Sequence, residues 1–119
     1  MLGFGYKRAA RVGDLILKEI SQMILRGEVK DPRISSVVLT GIELADDLSF
    51  ARVFFTVMDS DNVNTEDVLA GLESASGFIK RELSKRLHLK KIPNLRFEFD
   101  SSLNEGWKIE RLLKEVKGE

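Results

Sequence analysis

Residues 65 to 91, TEDVLAGLESASGFIKRELSKRLHLKK, constrain the fold more than any other stretch of the chain. Two helical patterns meet there at Ala75-Ser76-Gly77. Val68, Leu69 and Leu72 recur at helical spacing before the join, and Phe78, Ile79, Leu83 and Leu87 after it. Charge changes sign across the same point. Glu66, Asp67 and Glu73 precede it; Lys80, Arg81, Lys85, Arg86, Lys90 and Lys91 follow, opposed only by Glu82. At about 100° per residue, Arg81, Lys85 and His88 fall on one side of the second pattern and Ile79, Leu83 and Leu87 on the other. The stretch predicts a helix pair with one face against a core and a basic face outward.

The join consists of small side chains. Gly77 tolerates a break in helical geometry, and Ser76 is a residue type that caps a new helix by accepting from an exposed N–H. A helix starting here would direct free N–H groups and the positive end of its dipole outward, an arrangement suited to phosphate. The plainer alternative is that two packed helices need a small residue where they bend. The basic segment that follows favours phosphate.

A length of 119 residues fits one compact domain, assigned here to residues 7 to 117 with residues 1 to 6 as a flexible N-terminus. The absence of cysteine removes disulfides, thiolate nucleophiles and Cys-type zinc sites, and fits a reducing, cytoplasmic setting. No apolar run approaches the ~18 residues of a membrane span, and the opening residues lack the apolar region of a signal peptide. No membrane partner, cofactor or metal is expected. Nineteen basic side chains balance nineteen acidic ones, yet they are segregated. Residues 1 to 33 carry a net +3, residues 34 to 75 a net −7, and residues 76 to 119 a net +4. The neutral total conceals a potential footprint for a polyanion and an acidic region elsewhere.

Residues 7 to 26 read as an amphipathic helix with Val12, Leu15, Ile16, Ile20, Met23 and Ile24 on one face, Lys7, Arg11 and Lys18 roughly opposite, and Gly27 as its stop. Asp31-Pro32-Arg33 is a turn, because Pro32 cannot continue a helix. SSVVLTGIEL is a strand expected to place Val38, Thr40, Ile42 and Leu44 on one face; FARVFFTVM returns as a hairpin partner with Val53, Phe55 and Val57 inward. Asp46 and Asp47 between them suit a solvated turn better than a metal site. Thr65 is the expected N-cap of the helical stretch. After Pro93, NLRFEFD is a third strand with Leu95, Phe97 and Phe99 inward, and Ile109, Leu112, Leu113 and Val116 mark a short terminal helix. One apolar face per element gives a two-layer α+β domain, and the helical crossover before the third strand permits parallel pairing in a mixed sheet.

Chemistry-bearing residues are sparse. His88 is the only imidazole, it lies in Leu87-His88-Leu89, and no Walker loop or dinucleotide fingerprint is present. Catalytic residues are therefore not expected. A generic single-stranded RNA binder would need exposed aromatics for base stacking, for which Phe54 and Trp107 are the candidates. A protein-interaction module, using the acidic middle segment, is a third possibility.

This order of elements resembles a type II KH domain, a nucleic-acid module whose paired helices flank a Gly-x-x-Gly loop. No two glycines here have that spacing. With Ala75-Ser76-Gly77 in its place, the chain resembles the bacterial ribosome-binding factor A family. Asp31-Pro32-Arg33, Asp47-Leu48-Ser49-Phe50-Ala51-Arg52-Val53, Pro93-x-Leu95-x-Phe97 and Arg111-Leu112-Leu113 match it as well. The resemblance implies a monomeric, non-catalytic assembly factor. Such a factor binds the small (30S) ribosomal subunit late in maturation, near the 5′ end of 16S rRNA, with particular importance in the cold. The implied RNA-binding residues are Ala75, Ser76 and Gly77 at the join, Lys80, Arg81, Lys85, Arg86, Lys90 and Lys91 after it, and Arg8, Arg11 and Lys18 on the first helix. Recognition of shape and phosphate is implied, rather than sequence reading by the full KH clamp.

Overall fold

The computed structural model describes residues 4–58 and 62–100, with side chains from Arg8 onward in the first helix. Chain order is α1 (Phe4–Leu25), a single 3-10 turn (Pro32–Ile34), β1 (Val37–Leu44), β2 (Phe50–Val57), α2 (Thr65–Arg86) and β3 (Asn94–Phe99). The expected terminal helix around Ile109 to Val116, and Trp107, lie outside the described residues.

Helix α1 begins at Phe4, inside the segment expected to be flexible. It ends at Gly27, whose φ of 71° lets its own N–H reach Ile24 O and the Glu28 N–H reach Met23 O. Val12, Ile16, Ile20 and Met23 are buried. Leu15, expected with them, is turned to the outer face and 46% exposed. Gly13 allows α1 to lie close on β1, since a Cβ there would sit 3.2 Å from Ile42 Cγ2.

The sheet has the order β1-β2-β3, antiparallel between β1 and β2 and parallel between β2 and β3, as a helical crossover allows. Ala51, Val53, Phe55 and Val57 alternate inward along β2, Phe97 does so on β3, and Phe99 meets Phe55 edge to face at 5.8 Å. β1 departs from the expected alternation. Its register shifts between Leu39 and Gly41, so Thr40 is an extra residue and the inward set changes parity. Val37 and Leu39 pack on the core before the bulge, Ile42 and Leu44 after it, while Val38 is 42% exposed. The Thr40 hydroxyl donates to the Asp100 carboxylate at 2.8 Å, tying the bulge to the end of β3.

The β1–β2 turn contains Leu48 at φ 63°, a left-handed conformation unfavourable for leucine. It is held by burial of the Leu48 side chain and by Asp47, whose Oδ1 accepts from Ser49 N at 3.0 Å and Ser49 Oγ at 2.6 Å. On the sheet face away from the helices, Arg52 spans all three strands, donating to Glu98 on β3 at 2.5 Å and to Glu43 on β1 at 3.0 Å. Its guanidinium lies 5.1 Å from the Phe54 ring centroid, so Phe54 is half-buried beneath a cation.

α2 lies across β3 and the 3-10 turn, and with α1 it closes a single core. Its N-cap is Asn64 rather than Thr65: Asn64 Oδ1 accepts from Glu66 N at 2.8 Å and Asp67 N at 3.3 Å. The result is a KH-like α+β domain with helices packed on a three-stranded mixed sheet.

Candidate nucleic-acid interface

α2 runs unbroken from Thr65 to Arg86, through Ala75, Ser76 and Gly77. The expected second helix start is therefore absent, and with it the outward N–H groups, which are used within the helix. Ser76 does not cap: its Oγ donates to Glu73 O at 2.7 Å, the back-bonding open to a mid-helix serine. Two apolar patterns offset across a small-residue join look like two helices in sequence. Here Val68, Leu72, Ile79 and Leu83 form one buried stripe along a single helix.

The join nevertheless has a distinct surface. Ala75 is half-buried against the core, and Gly77 is exposed. A Cβ at Gly77 would meet nothing nearer than Arg81 Nη1, at 3.6 Å. Packing thus makes no demand for glycine at 77. Gly71 is the α2 glycine that packing does require, since a Cβ there would lie 3.0 Å from Ile34 Cγ2 and 3.2 Å from Arg33 Cβ.

The cations implied as RNA-binding residues divide into two groups. Arg81, Lys85, Lys90 and Lys91 are exposed, as are Arg8, Arg11 and Lys18 on α1. Of these only Lys85 makes an ion pair among the described residues, to Glu82 at 3.2 Å, and its side chain remains 72% exposed. The other group is committed internally. Lys80 Nζ donates to Asn94 Oδ1 at 2.8 Å and fastens α2 to the start of β3. Arg86 is half-buried between Glu28 and Glu82, bonded to both, with Glu82 at 3.1 Å. The hydrogen bond Arg86 donates to Glu28 foremost, then the one it donates to Glu82, raises the Arg86 pKa above its ordinary value. Arg86 is a clasp between α2 and the segment after α1, which removes it from the set of free phosphate ligands.

Two structural elements beside the interface escaped the sequence reading. Asp31, Pro32 and Arg33 form more than a turn: Asp31 caps the 3-10 helix through Arg33 N at 2.9 Å and takes the Arg33 guanidinium at 3.0 Å and 2.6 Å. The side-chain bond from Arg33 is the main reason Asp31 titrates at about 2. Its Asx-Pro sequence signals such a cap. The spacing of Glu82 and Arg86 likewise signals an i,i+4 pair, whereas the participation of Glu28 has no local signal.

The family model for ribosome-binding factor A matches residues 8–113. Ribosome-binding factor A of Syntrophobacter fumaroxidans is 49% identical over 112 residues, covering 93% of this chain and 95% of that protein. The Staphylococcus saprophyticus protein of the same name is 44% identical over 109 residues, covering 92% and 94%. Among solved structures, crystalline ribosome-binding factor A from Thermus thermophilus superposes with a TM-score of 0.68 at 20% identity, covering 76% of this chain and 93% of that one. A homology model of the Thermus thermophilus factor, fitted into the cryo-EM map of a 30S complex, gives a TM-score of 0.61 at 20% identity, covering 75% and 91%. These two likenesses show a shared fold. The extent and identity of the sequence matches show that this chain belongs to the ribosome-binding factor A family.

Proposed function

We propose that this protein is a non-catalytic, cytoplasmic assembly factor. In this reading it binds the small ribosomal subunit as a monomer, contacts 16S rRNA and assists late maturation near the rRNA 5′ end, including in the cold. Family membership supports the reading, together with the 30S complex of the Thermus thermophilus protein. The observation that carries it is Arg81: exposed, without an ion pair among the described residues, and beside an exposed Gly77 that packing does not require. A phosphate could approach the backbone there and meet a guanidinium. Arg8, Arg11, Lys18, Lys85, Lys90 and Lys91 supply the surrounding positive potential. Lys80 and Arg86 hold the surface in shape.

Sedimentation with purified small subunits, large subunits and free rRNA tests the proposal. The protein should pellet with small subunits, and Arg81→Glu with Lys85→Glu should abolish this without changing the circular dichroism spectrum. Reversal of two exposed acidic residues, Asp46→Lys with Glu66→Lys, should leave binding intact or strengthen it. Preference for free RNA oligomers would instead identify a generic RNA binder. Loss of binding only in the acidic-segment variant would favour a protein-interaction module.

A further inference from the structure

Beside the join, on the side of α2 that faces the segment after α1, lies a cleft of about 320 Å³, at the lower end of the range for small-ligand sites. Val29, Ala75 and Phe78 give it apolar walls, and Ser74 and Lys30 stand at its rim. Val29 is buried, Phe78 is half-buried, and Ser74 and Lys30 are exposed. Glu28 and Asp31 also line it, but each is already paired, Glu28 with Arg86 and Asp31 with Arg33. The charge left at the rim is the Lys30 ammonium, which has no ion pair among the described residues. Arg81 lies one turn beyond Phe78, about 4.5 Å along the helix axis, and Lys85 two turns beyond, about 10 Å. Small side chains at Ser74 and Gly77 keep the approach between cleft and cations open.

We propose that this cleft receives a single unstacked nucleobase of the bound RNA, with Phe78 as its aromatic wall and with Lys30 and Arg81 contacting the flanking phosphates. The inference deepens the RNA-binding reading and rests on it. An apolar-walled slot with one unpaired lysine at its rim and Arg81 a turn beyond fits a base on a charged backbone, since bases stack on aromatic rings without requiring sequence-specific bonds. An apolar peptide side chain would use the same walls but would not call for Lys30. The cleft would add base contact to a surface otherwise suited to phosphate alone.

The test is an amide NMR titration of the full chain with uridine 5′-monophosphate, adenosine 5′-monophosphate and ribose 5-phosphate. Both nucleotides should produce saturable shifts at Lys30, Ser74, Ala75 and Phe78, and ribose 5-phosphate should not. Lys30→Ala, outside the core, should weaken nucleotide binding about fivefold, the equivalent of one exposed charge contact. Ala75→Leu, which fills the cleft, should abolish the shifts. An equal response to ribose 5-phosphate, shifts confined to other residues, or undiminished shifts in folded Ala75→Leu would each overturn the proposal. Small-subunit sedimentation of the unmodified protein is run in parallel. Subunit binding without any nucleotide response overturns the cleft alone. A nucleotide response without subunit binding upholds the cleft and overturns the assembly-factor reading.

Discussion

Gly71 and Ile34 are packed so closely that a Cβ on Gly71 would lie 3.0 Å from Ile34 Cγ2, and 3.2 Å from Arg33 Cβ. Ile34 is buried and cannot swing aside. Gly71→Val should therefore destabilise the protein by about 2 kcal/mol through overpacking, measured by urea denaturation. The same denaturation curves for Gly77→Ala should show a gain of up to about 1 kcal/mol, because an exposed helical glycine is replaced without a clash. If Gly71→Val is neutral, the 3-10 turn is not anchored through this contact.

Gly77→Val separates function from folding. The helix has room for the side chain, so the melting temperature should hold. A β-branched group beside Arg81 would obstruct a phosphate, and small-subunit binding should fall at least tenfold, about 1.4 kcal/mol. Undiminished binding would show that no phosphate comes close at this position.

The two classes of cation should respond oppositely to neutralisation. Arg86→Gln leaves Glu28 and Glu82 without the guanidinium that joins them, so it should lower the melting temperature. Lys85→Gln, at a side chain that is 72% exposed, should lower melting far less than Arg86→Gln and weaken subunit binding. Equal thermal effects would contradict the division between clasp and contact surface.

Acid should loosen the Asp31 cap. The folded-state pKa of Asp31 is depressed from 3.8 to about 2, chiefly by the side-chain bond from Arg33. Its contribution is thus fully present above the ordinary value and is lost as pH falls toward about 2. Glu98, held down mainly by Arg52, Glu82, held down mainly by Lys85, and Asp47, held down mainly by Ser49, act in the same direction. Stability should be flat above the carboxylate range and decline below it. In Asp31→Asn the decline should be shallower, as measured by denaturation across that range.

Subunit binding should also depend on salt. If three of the exposed cations neutralise phosphates, log affinity should fall with log salt at a slope of about −2.7, or about 40-fold between about 50 and 200 mM. A flat dependence would remove the phosphate surface from the proposal.

Local periodicity and end signals were sufficient for the first helix, the hairpin, a helical crossover and the third strand in that order, for the mixed sheet, the Gly27 stop and the inward faces of β2 and β3. Burial repeats every two or every 3.6 residues along such segments, whatever they pack against. Exposure of Arg81, Lys85 and His88 opposite Ile79 and Leu83 was legible for the same reason. Tertiary structure decided what depends on contacts between distant segments. The β1 bulge changes which residues face inward, with Thr40 bonded to Asp100, 60 residues away. Arg86 shows in sequence only its i,i+4 spacing to Glu82, and it becomes a clasp when Glu28, 58 residues away, is brought beside it. Continuity of α2 through Ala75-Ser76-Gly77 was likewise a tertiary outcome. Burial of Leu72, Ile79 and Leu83 on both sides of the join holds one helix where the small residues alone would have permitted two.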